Sequence, residues 1–139
     1  MKVKGAMHAG VVWAGPDTTV TELAQKMREH DIGAIPIGEN DRLIGMVTDR
    51  DIVCRGMANG AAVATLKARD VMTPDIIYCR DHDDLDDAAE VMEKKQVRRL
   101  PVIDKNKRMV GMLSLGDVAQ EASHKDAGEL ISAVSAHHD

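Results

Sequence analysis

Residues 45–52 read GMVTDRDI and residues 111–118 read GMLSLGDV, a glycine, an apolar pair, a hydroxyl and a carboxylate written twice in one chain. Both follow an apolar run, LIGMVT (43–48) and MVGMLS (109–114), and both lead into stretches of helical character, TDRDIVCRGM and SLGDVAQEA. Each is therefore read as a strand-to-helix corner, with Thr48 or Ser114 at the junction and Asp51 or Asp117 three residues on. Working outward, the turns GENDR (38–42) and IDKNKR (103–108) differ by one residue, a change a hairpin loop tolerates. Before them AIPI (34–37) matches RLPV (99–102), and Pro36 matches Pro101. A proline denies the ladder a donor, which predicts an edge or a bend at that point of each strand.

The same register continues toward the N-terminus. Val20, Leu23, Ala24 and Met27 fall on Leu85, Ala88, Ala89 and Met92 at an offset of 65, the spacing of one apolar helix face. Thr19 stands three before Glu22 as a capping box, and Asp84 is placed to cap the second helix, with Asp86 and Asp87 in its first turn. Short strands are expected at GVVWA (10–14) and DIIYC (75–79). TLKARDVMTP (65–74) reads as a short crossing helix that ends before Pro74. The organisation expected is a first repeat over 1–64, a crossover helix and linker over 65–74, a second repeat over 75–122 and a helical tail over 123–139. Leu130, Ile131 and Val134 form that tail's apolar stripe. The fold class is mixed α+β: each repeat is a small three-stranded sheet with helices on one face. Two such halves cover each other's apolar surface when packed about a pseudo-twofold axis.

Composition narrows the function. A chain of 139 residues with 18 Lys and Arg against 23 Asp and Glu has a net charge of −5, which offers no general attraction to nucleic acid or an anionic membrane. One Trp, one Tyr and no Phe leave few platforms for stacking single-stranded bases. Val, Ile, Leu, Ala and nine Met remain to fill the interior. No apolar run reaches the roughly 20 residues a membrane helix needs, and MKVKGAMHAG lacks a secretory apolar core, so a cytoplasmic location is expected. Cys54 and Cys79 form no CxxC pair, which suggests unpaired thiols in a reducing compartment and leaves a single disulfide open.

On the paired corners, on MREHDIGAIPI, GMVTDRDIV and QVRRLPVI, and on the ordered duplication from Met7 to Ala122, the chain resembles a tandem pair of cystathionine beta-synthase (CBS) domains, or Bateman module. The small stand-alone bacterial pairs are its nearest likeness. The resemblance implies a regulatory sensor, commonly a homodimer, that binds adenine nucleotides or adenosyl compounds in clefts between the repeats and modulates a protein partner. Carried over, it implies that Thr48 and Asp51 join the region of Asp83 and Val97, Arg98 and Arg99. It likewise implies that Ser114 and Asp117 join the region of Thr18, Ile32, Gly33 and Ala34. AMP, ADP or ATP stand ahead of NAD or S-adenosylmethionine as ligand, with no obligatory cofactor, no nucleic acid and no membrane partner.

The residue chemistry fits such a ligand. A carboxylate accepts both hydroxyls of a ribose diol, so deoxyribose is expected to bind worse. A hydroxyl and free N–H groups at a helix start suit a phosphate, and Arg50, Arg98 and Arg99 match its geometry. Ile32, Ala34, Val97, Met46 and Met112 offer apolar surface for an adenine. The two sites are expected to differ, since Thr18 and Gly33 of one repeat correspond to Asp83 and Arg98 of the other. A helix-capping role alone also accounts for Asp51 and Asp117. The run DHDDLDD (81–87) lacks the glycine of a calcium loop. His8, His30, His82, His124, His137 and His138 show no metal-ligand spacing, and no nucleophile stands beside a placed base. A structural or interaction module with empty sites is the alternative reading.

Overall fold

The computed structural model describes residues 1–60, 62–74, 76–121 and 124–136. Helix α1 (Val3–Ala6) and strand β1 (His8–Ala9) come first, then helix α2 (Val20–His30) and the hairpin of β2 (Ala34–Glu39) and β3 (Arg42–Thr48). The corner beyond β3 is helix α3 (Asp49–Asp51), a π-helical turn (Ile52–Gly56) and 3-10 turns at Met57–Asn59 and Val63–Thr65. Helix α4 (Ala68–Val71), strand β4 (Cys79–Arg80), helix α5 (Leu85–Lys95) and strands β5 (Arg99–Ile103) and β6 (Met109–Ser114) follow. Helices α6 (Leu115–Glu121) and α7 (His124–Ser135) complete the order. Among the described residues no helix is long and apolar enough to cross a membrane.

The equivalence of α2 and α5 is written in their ends. Thr19 Oγ1 accepts from the Glu22 amide at 3.2 Å, as a capping Thr should. Both helices stop at a left-handed residue, Asp31 and Gln96, each at φ 53°. The cap expected from Asp84 does not form. Its carboxylate instead takes the Lys2 ammonium at 2.8 Å, a charge-assisted bond that outcompetes a neutral amide. Asp86 and Asp87 do occupy the first turn, where the helix dipole favours them.

The chain divides into two compact units, Val12–Ile76 and Met1–Val11 with Ile77–Asp139. In the first, β2 and β3 pair antiparallel through a turn with Asn40 at φ 53° and Asp41 at φ 64°, the left-handed pair that a two-residue hairpin requires. A parallel bridge from Ala14 to Ile37 and an antiparallel one from Met46 to Thr73 flank that hairpin. In the second, a four-stranded sheet runs β1-β6-β5-β4, with β4 parallel to β5. Ala14 and Thr73 occupy the places of β4 and β1, so both units have the three expected lines of chain and a fourth. The longer turn of the second repeat is held by Asp104 Oδ1, which accepts from the amides of Asn106 (2.8 Å) and Arg108 (3.0 Å). Pro101 lies in an inner strand, but the parallel pairing with β4 begins one residue later, at Cys79 opposite Val102, so β4 asks no donor of Pro101.

The short leader helices account for where the units divide. The Val3 amide donates to the Asp83 carbonyl and the Leu85 amide to the Met1 carbonyl, both at 2.9 Å, so α1 closes the start of α5. The Ala68 amide donates to Thr18 at 2.8 Å and the Val20 amide to Leu66 at 2.9 Å, so α4 closes the start of α2 in the same way. Residues 65–74, which read as a crossover, thus pack within the first unit, and residues 1–11 pack with the second repeat. Sequence repeats mark a unit of pattern, whereas these units are set by packing.

Each unit has its own apolar core. Leu23, Ile35, Ile37, Val47 and Val71 are fully buried in the first. Val3, Met92, Leu100, Val102, Leu113 and Val134 are fully buried in the second. Each such side chain contributes roughly 1.5–3 kcal/mol. Leu130 and Val134 bring α7 into the second core, while Ile131, expected on the same stripe, is exposed.

Candidate functional site

The repeated glycine is required by a close approach. A Cβ on Gly45 would lie 2.5 Å from the sulfur of Met72, and one on Gly111 would lie 2.6 Å from that of Met7. Met7 and Met72 are themselves repeat equivalents, so the glycine of each corner and the methionine of each leader fit together.

Beyond the glycine, the chain leaves the strand at a reciprocal cap. Thr48 Oγ1 accepts from the Asp51 amide at 3.1 Å, and Asp51 Oδ2 accepts from the Thr48 amide at 2.9 Å. Ser114 Oγ accepts from the Asp117 amide at 3.0 Å, and Asp117 Oδ2 from the Ser114 amide at 2.9 Å. Capping and ligand binding thus divide the same side chains. Each hydroxyl keeps its proton to donate, and each carboxylate keeps Oδ1 free of the cap.

The two remaining oxygens meet different neighbours. Asp51 Oδ1 has Arg55 Nε at 3.7 Å, beyond hydrogen-bond range. Asp117 Oδ1 has His8 Nδ1 at 3.0 Å, and that nitrogen also lies 3.1 Å from Oδ2. An ionised carboxylate only accepts, so the bond from His8 requires the hydrogen on Nδ1. Asp117 is 7% exposed while the His8 side chain is 79% exposed, which puts the ring outside and the acid beneath it. Sequence reading missed His8, whose contact spans 109 residues. The only signal for it was the repeat itself, which sets a histidine opposite Thr73.

Strand register brings further candidates to the corners. Ala34 is paired with Thr48, and Arg99 with Ser114. The Asp49 amide donates to Gly33 at 2.9 Å and the Leu115 amide to Arg98 at 2.8 Å. Gly33 leaves room for Asp49, whose Oδ2 would be 3.0 Å from a Cβ there; the other unit carries Arg98 and Leu115 instead. Among the described residues Arg50, Arg98 and Arg99 make no ion pair, so their charges are available to an anion.

Other candidates are more committed. Ile32 and Val97 are half-buried against the two cores, and Met46 is buried. Met112 is half-buried. Thr18 and Asp83 give their carbonyls to the leader helices, and the Asp83 carboxylate accepts from the Arg80 amide at 2.9 Å. Thr18, Ile32, Gly33, Ala34, Thr48, Arg50 and Asp51 belong to one unit, and Asp83, Val97, Arg98, Arg99, Ser114 and Asp117 to the other.

The acidic run is accounted for locally. Asp81 contacts His82 at 3.2 Å, Asp83 closes its turn and Asp84 holds Lys2. In the first unit Asp17 receives both Nε and Nη2 of Arg69, at 3.0 and 2.8 Å. The bond from Arg69 holds the Asp17 carboxyl below its usual range, and the bond from Lys2 does the same for Asp84.

The sequence matches the CBS domain family over residues 3–55 and 68–124. It is 42% identical over 129 residues to Hypoxic response protein 1 of Mycobacterium tuberculosis, covering 92% of this chain and 90% of that protein. The crystal structure of Hypoxic Response Protein I with two coordinated zinc ions is similar at a TM-score of 0.79 and 43% identity, over 88% of this chain and all of that one. Two more distant structures share the fold. CBSX2 in complex with AMP has a TM-score of 0.76 at 24% identity, over 86% of this chain and 95% of that one. The CBS domain pair of protein MJ0100, with 5′-methylthioadenosine and S-adenosyl-L-methionine, has a TM-score of 0.77 at 24% identity, over 87% of this chain and 98% of that one. As for zinc, among the described residues of this chain no three His, Cys, Asp or Glu side chains converge.

Proposed function

The chain belongs to the CBS domain family, and from that premise we propose that it is a regulatory module which binds an adenine nucleotide or related adenosyl ligand through its two corners. Asp51 and Asp117 accept the ribose hydroxyls in this reading, Thr48 and Ser114 donate to the ligand, and Arg50, Arg98 and Arg99 serve a phosphate. The apolar residues Ile32, Ala34 and Val97 border the base, with Thr18, Gly33 and Asp83 setting the difference between sites. The observation that carries the reading is the cap itself: it fixes hydroxyl and carboxylate in one orientation in both units and leaves Oδ1 of each carboxylate uncapped.

The ligands of the more distant structures support it. AMP, 5′-methylthioadenosine and S-adenosyl-L-methionine differ at the 5′ position but share an adenosine with its 2′,3′-diol. A diol acceptor is the common requirement. AMP, ADP and ATP are placed ahead of the others because Arg50, Arg98 and Arg99, which make no ion pair among the described residues, favour a phosphate. Function as a cytoplasmic homodimer that alters its affinity for a protein partner is part of the same proposal. The ligand can shift such an equilibrium only by its differential affinity for the two states.

Calorimetry with AMP, ADP, ATP, NAD and S-adenosylmethionine tests the proposal, repeated on Asp51→Ala and Asp117→Ala and with 2′-deoxy-AMP. The native protein should bind, at least one of the two variants should lose affinity, and the deoxy ligand should bind more weakly. At a hundredfold excess over Kd the bound ligand should add about 2.7 kcal/mol of stability. If no ligand binds, or both variants bind like the native protein, the nucleotide reading fails. The competing reading, an interaction module with empty sites, draws on the cap occupying one oxygen of each aspartate and on the turn held by Asp83. A stoichiometric protein partner with no nucleotide released from denatured protein would decide for it. Turnover of bound nucleotide would contradict both non-enzymatic readings.

A further inference from the structure

The two corners present the same cap but not the same free acceptor, and the difference is one side chain. We propose that His8 determines which corner takes a ribosyl ligand, by occupying the Asp117 carboxylate that the ligand needs and leaving Asp51 as the open site. The proposal rests on the nucleotide reading above and adds the residue that ranks its two sites.

The difference is one of access to the acceptors. In the second unit the Ser114 amide takes Asp117 Oδ2 at 2.9 Å, and His8 Nδ1 reaches Oδ1 at 3.0 Å and Oδ2 at 3.1 Å. The acid is 7% exposed, and the exposed ring lies against it. A ribose diol arriving there must compete with the imidazole, which holds one of the carboxylate's remaining acceptor positions and lies over an acid that has little other exposed surface. In the first unit Thr73 stands where the repeat has His8, and its main chain pairs with Met46. Among the described hydrogen bonds none joins Thr73 to Asp51, and the cation nearest Asp51, Arg55, is 3.7 Å away. Asp51 Oδ1 is therefore free of a hydrogen-bonded competitor.

Geometry also explains why His8 reaches the acid. Strand β1 pairs His8 with Met112, two residues before Ser114, so the chain end is delivered to the corner by the sheet ladder. A side chain as short as that of Thr73 has no ring to extend over the carboxylate.

The test is calorimetry with AMP on the wild type, Asp51→Ala, His8→Thr, and Asp51→Ala combined with His8→Thr. His8→Ala is run alongside to exclude an effect of the threonine hydroxyl. The wild type should show one dominant site that Asp51→Ala abolishes. In the Asp51→Ala background, His8→Thr and His8→Ala should each tighten the remaining site about tenfold, the effect of removing one hydrogen bond to a charged acceptor. Unchanged or weaker binding on removal of the ring overturns the inference, as does loss of the dominant site in Asp117→Ala rather than Asp51→Ala. AMP binding that ignores His8 defeats this inference alone. Absence of binding by AMP, ADP, ATP, NAD and S-adenosylmethionine alike, in the wild type and every folded variant, defeats the nucleotide reading with it.

Discussion

Alanine at Gly111 and alanine at Gly45 are the same substitution at equivalent places, yet they should differ in cost. At Gly111 the added methyl would lie 2.6 Å from Met7 Sδ and 2.7 Å from the His8 backbone oxygen. Ordinary contact begins at 3.4 Å, so the backbone of β1 must retreat by roughly 0.7 Å from the strand it pairs with. Overpacking of this kind costs about 1–3 kcal/mol. The loss of glycine's unfolded-state freedom offsets about 0.5–1 kcal/mol of it. At Gly45 the nearest atoms are Met72 Sδ at 2.5 Å, Cγ at 3.1 Å and Cβ at 3.3 Å, all in one flexible thioether side chain that can turn aside. Gly111→Ala should therefore destabilise by about 1–2 kcal/mol and Gly45→Ala by less than about 1 kcal/mol. Urea unfolding followed by far-ultraviolet circular dichroism measures both. A second comparison isolates the cause: Met72→Ala should relieve Gly45→Ala, whereas Met7→Ala should not relieve Gly111→Ala. Equal costs at the two glycines, or rescue of Gly111→Ala by trimming Met7, would refute the assignment of the obstacle to the His8 carbonyl.

Two further outcomes follow from charge and burial. Burial, aided by Asp83, pushes the Cys79 thiol up to about 12, while Cys54 is exposed. A colorimetric thiol reagent at pH 8 should therefore titrate one thiol in the native protein and a second only after denaturation; prompt reaction of both would contradict the buried environment of Cys79. Asp17 and Asp84 have folded-state values below that of an ordinary carboxyl, so the stability they contribute is present above the unfolded value and is lost as pH falls through the lower folded one. Arg69→Ala and Lys2→Ala should each flatten the acid limb of a stability–pH curve, and the effect should shrink in high salt because the pairs are exposed. Identical acid limbs in the variants would refute this.

The sequence was most legible where two copies could be compared. The offset of 65 carried α2 onto α5, and the corners at Thr48 and Ser114 appeared as strand-to-helix junctions, because apolar periodicity and capping are local codes. The role of Asp84 was misread because its partner, Lys2, is 82 residues away. His8 was invisible for the same reason: nothing local distinguishes an exposed histidine from one laid on a buried acid. The helix expected after Thr48 is interrupted by a π-helical turn and a 3-10 turn, while its counterpart after Ser114 is a regular helix of seven residues. Of the expected tail, residues 123 and 137–139 lie outside those described, and α7 supplies the helix.

The placement of the leader helices bears on the order of synthesis. Residues 1–11 are made before residues 77 onward, with which they complete their packing, whereas residues 12–76 form a unit of their own. A nascent chain released up to that point has one unit ready to fold and an N-terminal segment still awaiting its sheet. That segment includes Val3, which is fully buried in the finished protein, so an early stretch of apolar chain must remain uncommitted until a distant strand arrives. Cutting the gene at the sequence repeats would strand each leader on the wrong fragment, whereas a fragment of residues 12–76 keeps its own leader helix α4.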